Sequence, residues 1–223
     1  DVDIVNSGAD LINEGKHQEA IQKFDEALQI NPNSKEAYYN KGISLQAIGD
    51  HQNALENFQK VLSIDPNDIS ALIGFAISCS SLGDNIKAIE SYNKAIAINP
   101  NFFLAYLNKG IALYESRRLD EVTPCLDQAI SLKQDNYLPY LIKANTSKDM
   151  DRKQEAINLY KEAAKIEPNC FEAFYNMGLC QASFNRHDDA LESFEQALKL
   201  NEKSDQAWDA KGYVYYNKNK FDK

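Results

Sequence analysis

The sequence predicts an all-α solenoid built from antiparallel helix pairs, with about 13 helices in total. A pattern of 34 residues recurs along the whole 223-residue chain without an inserted or deleted residue. Within each repeat, apolar and small residues return at intervals of three and four positions, which is the spacing of amphipathic helices. Glycine, aspartate or asparagine stands between the two helical stretches of most repeats, and Asn-Pro or Asp-Pro commonly closes a repeat.

The repeat divides the chain into six full units and the first helix of a seventh. In the second unit, the apolar spacing predicts helix A over residues 35–48 and helix B over residues 51–64. The chain opens at Asp1 without a methionine and stops inside a unit at Lys223, so we interpret it as one array taken from a longer protein. The units are residues 1–34, 35–68, 69–102, 103–136, 137–170, 171–204 and the partial unit 205–223.

Small and aromatic residues occupy fixed positions of the repeat. We expect helices A and B to cross where Gly42 and Ala54 stand, because a larger side chain there would push them apart. The eighth position of successive units reads Gly8, Gly42, Ala76, Gly110, Ala144, Gly178 and Gly212. The aromatic position in helix B reads Phe24, Phe58, Tyr92, Leu126, Tyr160 and Phe194. Prolines close four units, at Pro32, Pro66, Pro100 and Pro168.

With these positions, the chain resembles the tetratricopeptide repeat (TPR), whose period and Trp/Leu-Gly-Tyr-Ala-Phe-Ala-Pro signature match it unit by unit. The resemblance covers the whole chain. It implies a right-handed superhelix whose A helices line the concave surface, and a protein-binding scaffold rather than one particular activity.

Two features depart from the repeat. The fourth unit has Arg117 in the turn between its helices, Pro124 inside helix B and Gln134 in place of proline, so we expect irregular geometry around residues 116–137. The family usually has leucine at the seventh position of helix A, where four units here have lysine. The sequence does not explain these lysines, which are Lys41, Lys109, Lys143 and Lys211.

Charge and composition limit the function. The net charge is −9, from 33 acidic and 24 basic residues, which disfavours binding to nucleic acid or to an anionic membrane surface. No apolar run approaches the ~18 residues of a membrane-spanning helix. No pair of cysteines has CxxC spacing, which favours reduced thiols and an intracellular, cytoplasmic location. The cysteines are Cys79, Cys125, Cys170 and Cys180.

No catalytic or metal-binding motif is recognisable. GxSxG, HExxH, GxxxxGK and GxGxxG are all missing from the sequence. The three histidines His17, His51 and His187 hold the same position of three different units, so a solenoid would spread them apart instead of gathering them around one ion. We therefore expect no catalytic residues, no metal site and no cofactor.

The side of helix A opposite the predicted core is the candidate binding site. The sixth position holds asparagine in four of seven units, and an amide can donate to and accept from one peptide unit of an extended chain. The fifth and ninth positions are mostly apolar. The arrangement resembles the asparagine ladder of O-GlcNAc transferases and armadillo-type importins, interrupted here at Gly74, Ile142 and Ala210. The candidate peptide-binding residues are Asn6, Tyr39, Asn40, Ile43, Ile73, Ile77, Leu107, Asn108, Ile111, Leu141, Asn145, Tyr175, Asn176 and Leu179.

The leading interpretation is a noncatalytic scaffold that binds an extended or helical segment of a protein partner in the concave groove. One alternative is the substrate-recruiting arm of a larger enzyme, such as an O-GlcNAc-transferase-like glycosyltransferase. Another is a structural subunit of a large assembly, with end-to-end self-association through residues 205–223, where Trp208, Val214, Tyr215 and Tyr216 have no predicted helix B to cover them. The clustered cations that would hold a chaperone C-terminal carboxylate are missing, which disfavours a chaperone-tail adaptor.

Overall fold

The computed structural model describes residues 2–221, which form thirteen α-helices and no β-strand. Odd-numbered helices are the A helices of successive units, and even-numbered helices are the B helices. The helices are α1 Val2–Asn13, α2 His17–Ile30, α3 Lys35–Ala47, α4 His51–Ile64, α5 Ile69–Ser81, α6 Asn85–Ile98, α7 Phe103–Glu115, α8 Leu119–Leu132, α9 Tyr137–Asp149, α10 Lys153–Ile166, α11 Phe171–Ser183, α12 His187–Leu200 and α13 Asp205–Phe221.

The predicted helix pattern is confirmed. Helices α3 and α4 begin at the two residues expected for the second unit, and α3 ends one residue earlier than predicted. The chain separates into two compact units, the first ending at Ser116 and the second beginning at Arg117. The first compact unit contains α1 to α7, and the second contains α8 to α13. Within each compact unit, every helix packs against the helix that follows it in the chain.

An aromatic ring of helix B fills the space beside the small residue of helix A. A Cβ atom added to Gly42 would lie 2.9 Å from ring carbons of Phe58, and one added to Gly178 would lie 2.7 Å from the ring of Phe194. Both phenylalanines are fully buried. Glycine is therefore required at these A-helix positions by close helix packing and not by backbone conformation.

The same ring also contacts the following unit. A Cβ atom added to Gly74, in helix α5, would lie 2.5 Å from Phe58, which belongs to helix α4 of the preceding unit. One phenylalanine thus joins the A helices on both sides of it. Within each compact unit, buried residues form successive clusters between neighbouring helices and not one central cluster.

The turns between paired helices contain a residue with a positive φ angle, a conformation that glycine, asparagine and aspartate tolerate. Gly15, Gly49 and Gly83 have φ angles of 75°, 81° and 83°. Asp151 and Asn185 replace glycine with φ angles of 59° and 56°, which their short polar side chains tolerate.

The fourth unit combines an unfavourable turn with a regular helix. Arg117 adopts a φ angle of 59°, and its Nη1 atom donates a hydrogen bond of 2.6 Å to Asp149 Oδ2. Helix α8 nevertheless runs without a break from Leu119 to Leu132, with Pro124 inside it. Since Pro124 lies near the helix start, it removes one backbone hydrogen bond there without ending the helix.

The turns between units are closed by the residue before proline. The backbone N–H of Asn31 donates to Ala27 O, and its side chain accepts a hydrogen bond of 3.1 Å from the N–H of Asn33. Asp65 does the same with Val61 O and the N–H of Asn67. The aspartate or asparagine therefore caps the end of helix B and also holds the turn that leads to the next helix A.

The repeated lysines are explained by ion pairs to the preceding helix. Each paired lysine has an acidic partner sixteen residues earlier, on helix B of the preceding unit. Their side chains are 16–21% exposed, whereas those of the acidic partners are about half exposed. The methylenes therefore cover apolar surface while the ammonium groups reach the rim. The pairs are Lys41–Asp25, Lys143–Asp127 and Lys211–Glu195. Lys109 has Asn93 at the corresponding place and takes part in no ion pair among the described residues.

Gly42→Ala tests the ring packing. The new Cβ would lie within 3 Å of Phe58, so we expect the free energy of unfolding to fall by about 1–3 kcal/mol in urea denaturation. The control is Gly212→Ala, because nothing lies within 4 Å of a Cβ at that glycine. There the higher helix propensity of alanine should stabilise the chain by roughly 0.5–1 kcal/mol. An equal gain for both variants would contradict the packing argument.

Asn93→Asp tests the lysine pairs. It gives Lys109 the acidic partner that the other three lysines have, and we expect a gain of about 0.5 kcal/mol in unfolding free energy at low salt. Asp25→Asn, which breaks the pair with Lys41, should change stability in the opposite direction. Both effects should shrink in concentrated salt because partly exposed pairs are screened. A gain that is independent of salt would exclude an ion pair as its cause.

Candidate peptide-binding face

The candidate residues lie on the A helices of both compact units and form one face in each. The first A-face is carried by α1, α3, α5 and α7, and the second by α9 and α11. The first A-face comprises Asn6, Tyr39, Asn40, Ile43, Ile73, Ile77, Leu107, Asn108 and Ile111. The second A-face comprises Leu141, Asn145, Tyr175, Asn176 and Leu179.

Residues at the fifth position pack inward. Ile73, Leu107 and Leu141 are only 8%, 5% and 6% exposed, so their side chains belong to the core. Tyr39 makes an edge-to-face contact with Phe58, with ring centroids 5.9 Å apart. Tyr175 packs against Phe194 with ring centroids 6.0 Å apart and the two rings tilted by 52°. Residues at the fifth position therefore pack mainly against the core and contribute little accessible surface to a ligand-binding face.

Residues at the ninth position form the accessible apolar surface. Ile43, Ile77 and Ile111 are half-buried and lie on the successive helices α3, α5 and α7. Leu179 is 36% exposed on the second A-face. A half-buried isoleucine is held in place by its neighbours and still presents apolar area to a ligand.

The asparagines of the first A-face are open. Asn6 is exposed, and Asn40 and Asn108 are half-buried. Their side-chain amides make no hydrogen bond to another residue in the part of the chain that the structure describes. Each amide therefore keeps a donor and an acceptor directed to solvent.

The asparagines of the second A-face are already engaged. Asn176 is 8% exposed and accepts a hydrogen bond of 3.0 Å from Lys148 Nζ. Its Nδ2 donates to Asn145 Oδ1 at 3.4 Å, and the buried Tyr160 hydroxyl donates to the same oxygen. Asn145 Nδ2 donates to Glu172 Oε1 at 2.9 Å. These groups hold neighbouring helices together, so the two A-faces differ chemically although they share one repeat position.

Two residues outside the candidate set connect adjacent A helices. Gln46 Nε2 donates to Gly74 O and to Ser78 Oγ, both at 2.8 Å. In the second compact unit, Lys148 makes the corresponding contact, from helix α9 to Asn176 of helix α11. Both occupy the twelfth position of their units. The sequence shows a long, flexible polar side chain at this position in only these two units, where the other units have isoleucine, serine, alanine or tyrosine.

The first A-face has carboxylates nearby and no cation among its own positions. Glu36 and Glu115 are exposed on α3 and α7. Lys35 contacts Asp68 at 3.0 Å and Asp65 at 3.2 Å. Hydrogen bonds to Asp68 and then Asp65 raise the pKa of Lys35, so its charge is retained and already balanced. The surface is therefore suited to an apolar or basic ligand.

The described residues contain no group of three or more His, Cys, Asp and Glu side chains placed to hold a metal ion. All four cysteines are buried thiols. Burial, with a smaller contribution from Asp84, raises the pKa of Cys79 to about 11, which makes it a poor nucleophile. No helix within residues 2–221 has the length and apolarity needed to span a membrane.

Family models match most of the chain. Tetratricopeptide-repeat models match residues 36–68, 139–170 and 171–204, and a TPR-repeat model matches residues 8–49 and 79–116. The chain belongs to the tetratricopeptide-repeat family. No curated protein matches this TPR chain at a significant level.

Solved structures confirm the TPR solenoid fold. The chain is 26% identical to MamA, covering 73% of this chain and 95% of that one with a TM-score of 0.68. It is 20% identical to YrrB, described as a TPR protein with an unusual peptide-binding site, covering 85% and 97% with a TM-score of 0.69. It is 22% identical to a chain of the APC/C hetero-tetramer Cut9–Hcn1, covering 95% and 42% with a TM-score of 0.72.

Asn176→Ala tests whether the hydrogen-bonded asparagines of the second A-face stabilise the fold, in contrast to the open asparagines of the first A-face. It removes the side-chain acceptor of Lys148 Nζ and one of the three hydrogen bonds of Asn145 at a buried position, so we expect a loss of about 1–3 kcal/mol in unfolding free energy. Asn108→Ala, at the same repeat position of the first A-face, should stay within about 0.5 kcal/mol of wild type. Chemical denaturation followed by circular dichroism measures both. Equal losses would mean that the two faces do not differ as described.

Proposed function

We propose that this TPR chain is a noncatalytic interaction scaffold whose first A-face binds an extended segment of a protein partner. The observation that carries the proposal is the open pair of amides, Asn40 and Asn108, beside accessible isoleucines on three successive A helices. An extended peptide needs repeated donors and acceptors for its backbone and apolar surface for its side chains. The first A-face offers both, whereas the asparagines of the second are used internally.

The ligand interaction follows from the arrangement of these groups. Asn40 and Asn108 each donate to a peptide carbonyl and accept from a peptide N–H, which fixes the position of the backbone without reading its sequence. Ile43, Ile77 and Ile111 bury apolar side chains of the segment. Gly74, which interrupts the asparagines on α5, presents no side chain, so the peptide has no amide contact at that unit.

The charge of the first A-face favours some apolar partner segments over others. Lys and Arg are missing from the second, fifth, sixth, ninth, twelfth and thirteenth positions of the units in residues 2–116, while Glu36 and Glu115 are exposed there. An acidic segment would meet only carboxylates, and a segment with lysine or arginine beside its apolar residues would be attracted. The preferred partner segment is therefore apolar, extended and flanked by basic residues.

Random-peptide phage display on the immobilised chain tests this proposal. Enriched peptides should combine apolar and basic residues. In fluorescence anisotropy, Asn40→Ala/Asn108→Ala should weaken such a peptide about tenfold, since each lost hydrogen bond contributes about 0.5–1.5 kcal/mol. Glu36→Lys/Glu115→Lys should reduce the preference for basic residues.

Asn93→Ala is the matched control for these variants, because Asn93 is an exposed asparagine on the B helix α6. It should leave peptide affinity unchanged. Failure to enrich any peptide, or an enriched peptide that binds the double asparagine variant as tightly as wild type, would overturn the assignment of the first A-face.

A further inference from the structure

A recess of about 220 Å³ opens in the second compact unit between helices α10, α11 and α12. Phe174 and Met177 of α11 provide its apolar walls. Three exposed charged side chains also line it, namely Lys161 of α10 and Asp189 and Glu192 of α12. The fifth and sixth units, which form the recess, each have both of their helices.

The recess lies at a junction where the lysine pair of other junctions is replaced. At three other junctions, a lysine at the seventh position of helix A pairs with an acidic residue sixteen positions earlier. Here the seventh position is Met177, and the residue sixteen positions earlier is Lys161. The methionine side chain is shorter and uncharged, and Lys161 takes part in no ion pair or hydrogen bond within residues 2–221. Space and an unbalanced cation therefore remain at this junction.

A buried amide with an unused donor also lines the recess. Gln181 is 5% exposed and holds the eleventh position of its unit, which is leucine in the first, second and fourth units. Its Oε1 accepts a hydrogen bond of 2.7 Å from the buried Ser193 Oγ. Its Nε2 donates to no group within residues 2–221 and is not fully enclosed, so it faces the recess that the side chain lines. A buried donor is costly to leave unsatisfied, so Nε2 calls for an acceptor oxygen in the recess.

The groups around the recess define the charges of a matching ligand. Gln181 Nε2 and Lys161 Nζ are donors, and a carboxylate is the strongest acceptor for them. Asp189 and Glu192 lie one turn apart on α12 and make no ion pair in the part of the chain that the structure describes, so they are suited to cationic groups. One ammonium and two carboxylates give the recess a net charge of −1, which is complementary to a ligand with a net charge of +1.

The size of the recess limits the ligand to a small molecule. Its 220 Å³ is below the roughly 300–1,000 Å³ of sites that hold drug-sized ligands. A single free amino acid is of suitable size. Among the amino acids, those with a basic side chain combine a carboxylate, two cationic groups and an apolar methylene stem.

We propose that this recess binds a free basic amino acid, arginine or lysine. Gln181 and Lys161 hold its α-carboxylate, and Asp189 and Glu192 hold its α-ammonium and side-chain cation. The methylene stem lies against Phe174 and Met177, as the stems of the repeated lysines lie on their own helices. The bound amino acid links α10 to α12 through charges that the chain leaves unpaired. This site is separate from the first A-face and does not depend on the function proposed for that face.

Isothermal titration calorimetry of the intact chain with L-arginine tests the proposal. We expect saturable binding and, because the ligand binds the folded state, a rise in melting temperature. Three analogues each lack one of the required groups: agmatine lacks the carboxylate, Nα-acetyl-arginine lacks the α-ammonium, and citrulline lacks the side-chain charge. Each should bind at least about tenfold more weakly, since each loses a charge-assisted hydrogen bond.

Two variants should remove binding without loss of the fold. Gln181→Leu introduces the residue that three other units have at this position, and it should weaken arginine at least about tenfold. Lys161→Asp/Met177→Lys recreates the lysine pair of other junctions, such as Lys41–Asp25, and should fill the recess and abolish binding. Circular dichroism should show unchanged helix content for both.

Lys165→Glu is the matched control, because Lys165 is an exposed lysine one turn further along α10 that does not line the recess. It should bind arginine within about twofold of wild type, apart from a weak effect of distant charge that salt screens. Asn40→Ala/Asn108→Ala on the first A-face should also leave arginine affinity unchanged.

Three results would overturn the proposal. One is the absence of saturable arginine and lysine binding to the wild-type chain. Another is an arginine affinity that Gln181→Leu and Lys161→Asp/Met177→Lys leave unchanged. The third is equal affinity for arginine and agmatine, which would mean that the donors of Gln181 and Lys161 hold no carboxylate.

Discussion

The close contact between a B-helix aromatic ring and the small residues of the neighbouring A helices is the constraint on which the rest of the structure depends. Phe58 contacts Gly42 in its own unit and Gly74 in the next, so one side chain sets the spacing of three helices. With that spacing fixed, the fifth position is drawn into the core and the ninth is left at the surface. The accessible, half-buried isoleucines and the open amides of the first A-face are a consequence of this packing.

Most of the fold could be predicted from the sequence, because periodicity, turn residues and prolines each specify local structure. Much less of the candidate site could be predicted. Helical angles place Leu107 and Ile111 on one side of α7, but only packing decides that Leu107 is buried and Ile111 accessible. Likewise, Asn40 and Asn176 hold the same repeat position. Their difference depends on Lys148, twenty-eight residues before Asn176, and no local pattern encodes that contact.

The repeated lysines form a pattern that is visible in the sequence, although the sequence alone does not show the interaction that explains it. Four units share the residue, yet the acidic partner lies on the preceding helix at a position that looks like ordinary solvated surface. Only the packing of α2 against α3, or of α12 against α13, shows that Asp25 and Glu195 are placed for this contact. A long methylene stem also lets lysine replace leucine on a mostly apolar helix face.

The hydrogen bonds between units have a further consequence for how the number of repeat units can change in evolution. The contacts of Gln46 with Ser78 and of Lys148 with Asn176 join residues of adjacent units that lie fewer than thirty-four positions apart. Each unit thus needs only its immediate neighbours, and most units repeat the same kind of ring, turn residue and cap. Duplication or loss of a whole unit would bring together surfaces that already fit. The number of units can therefore vary in descent more freely than the length of any one helix.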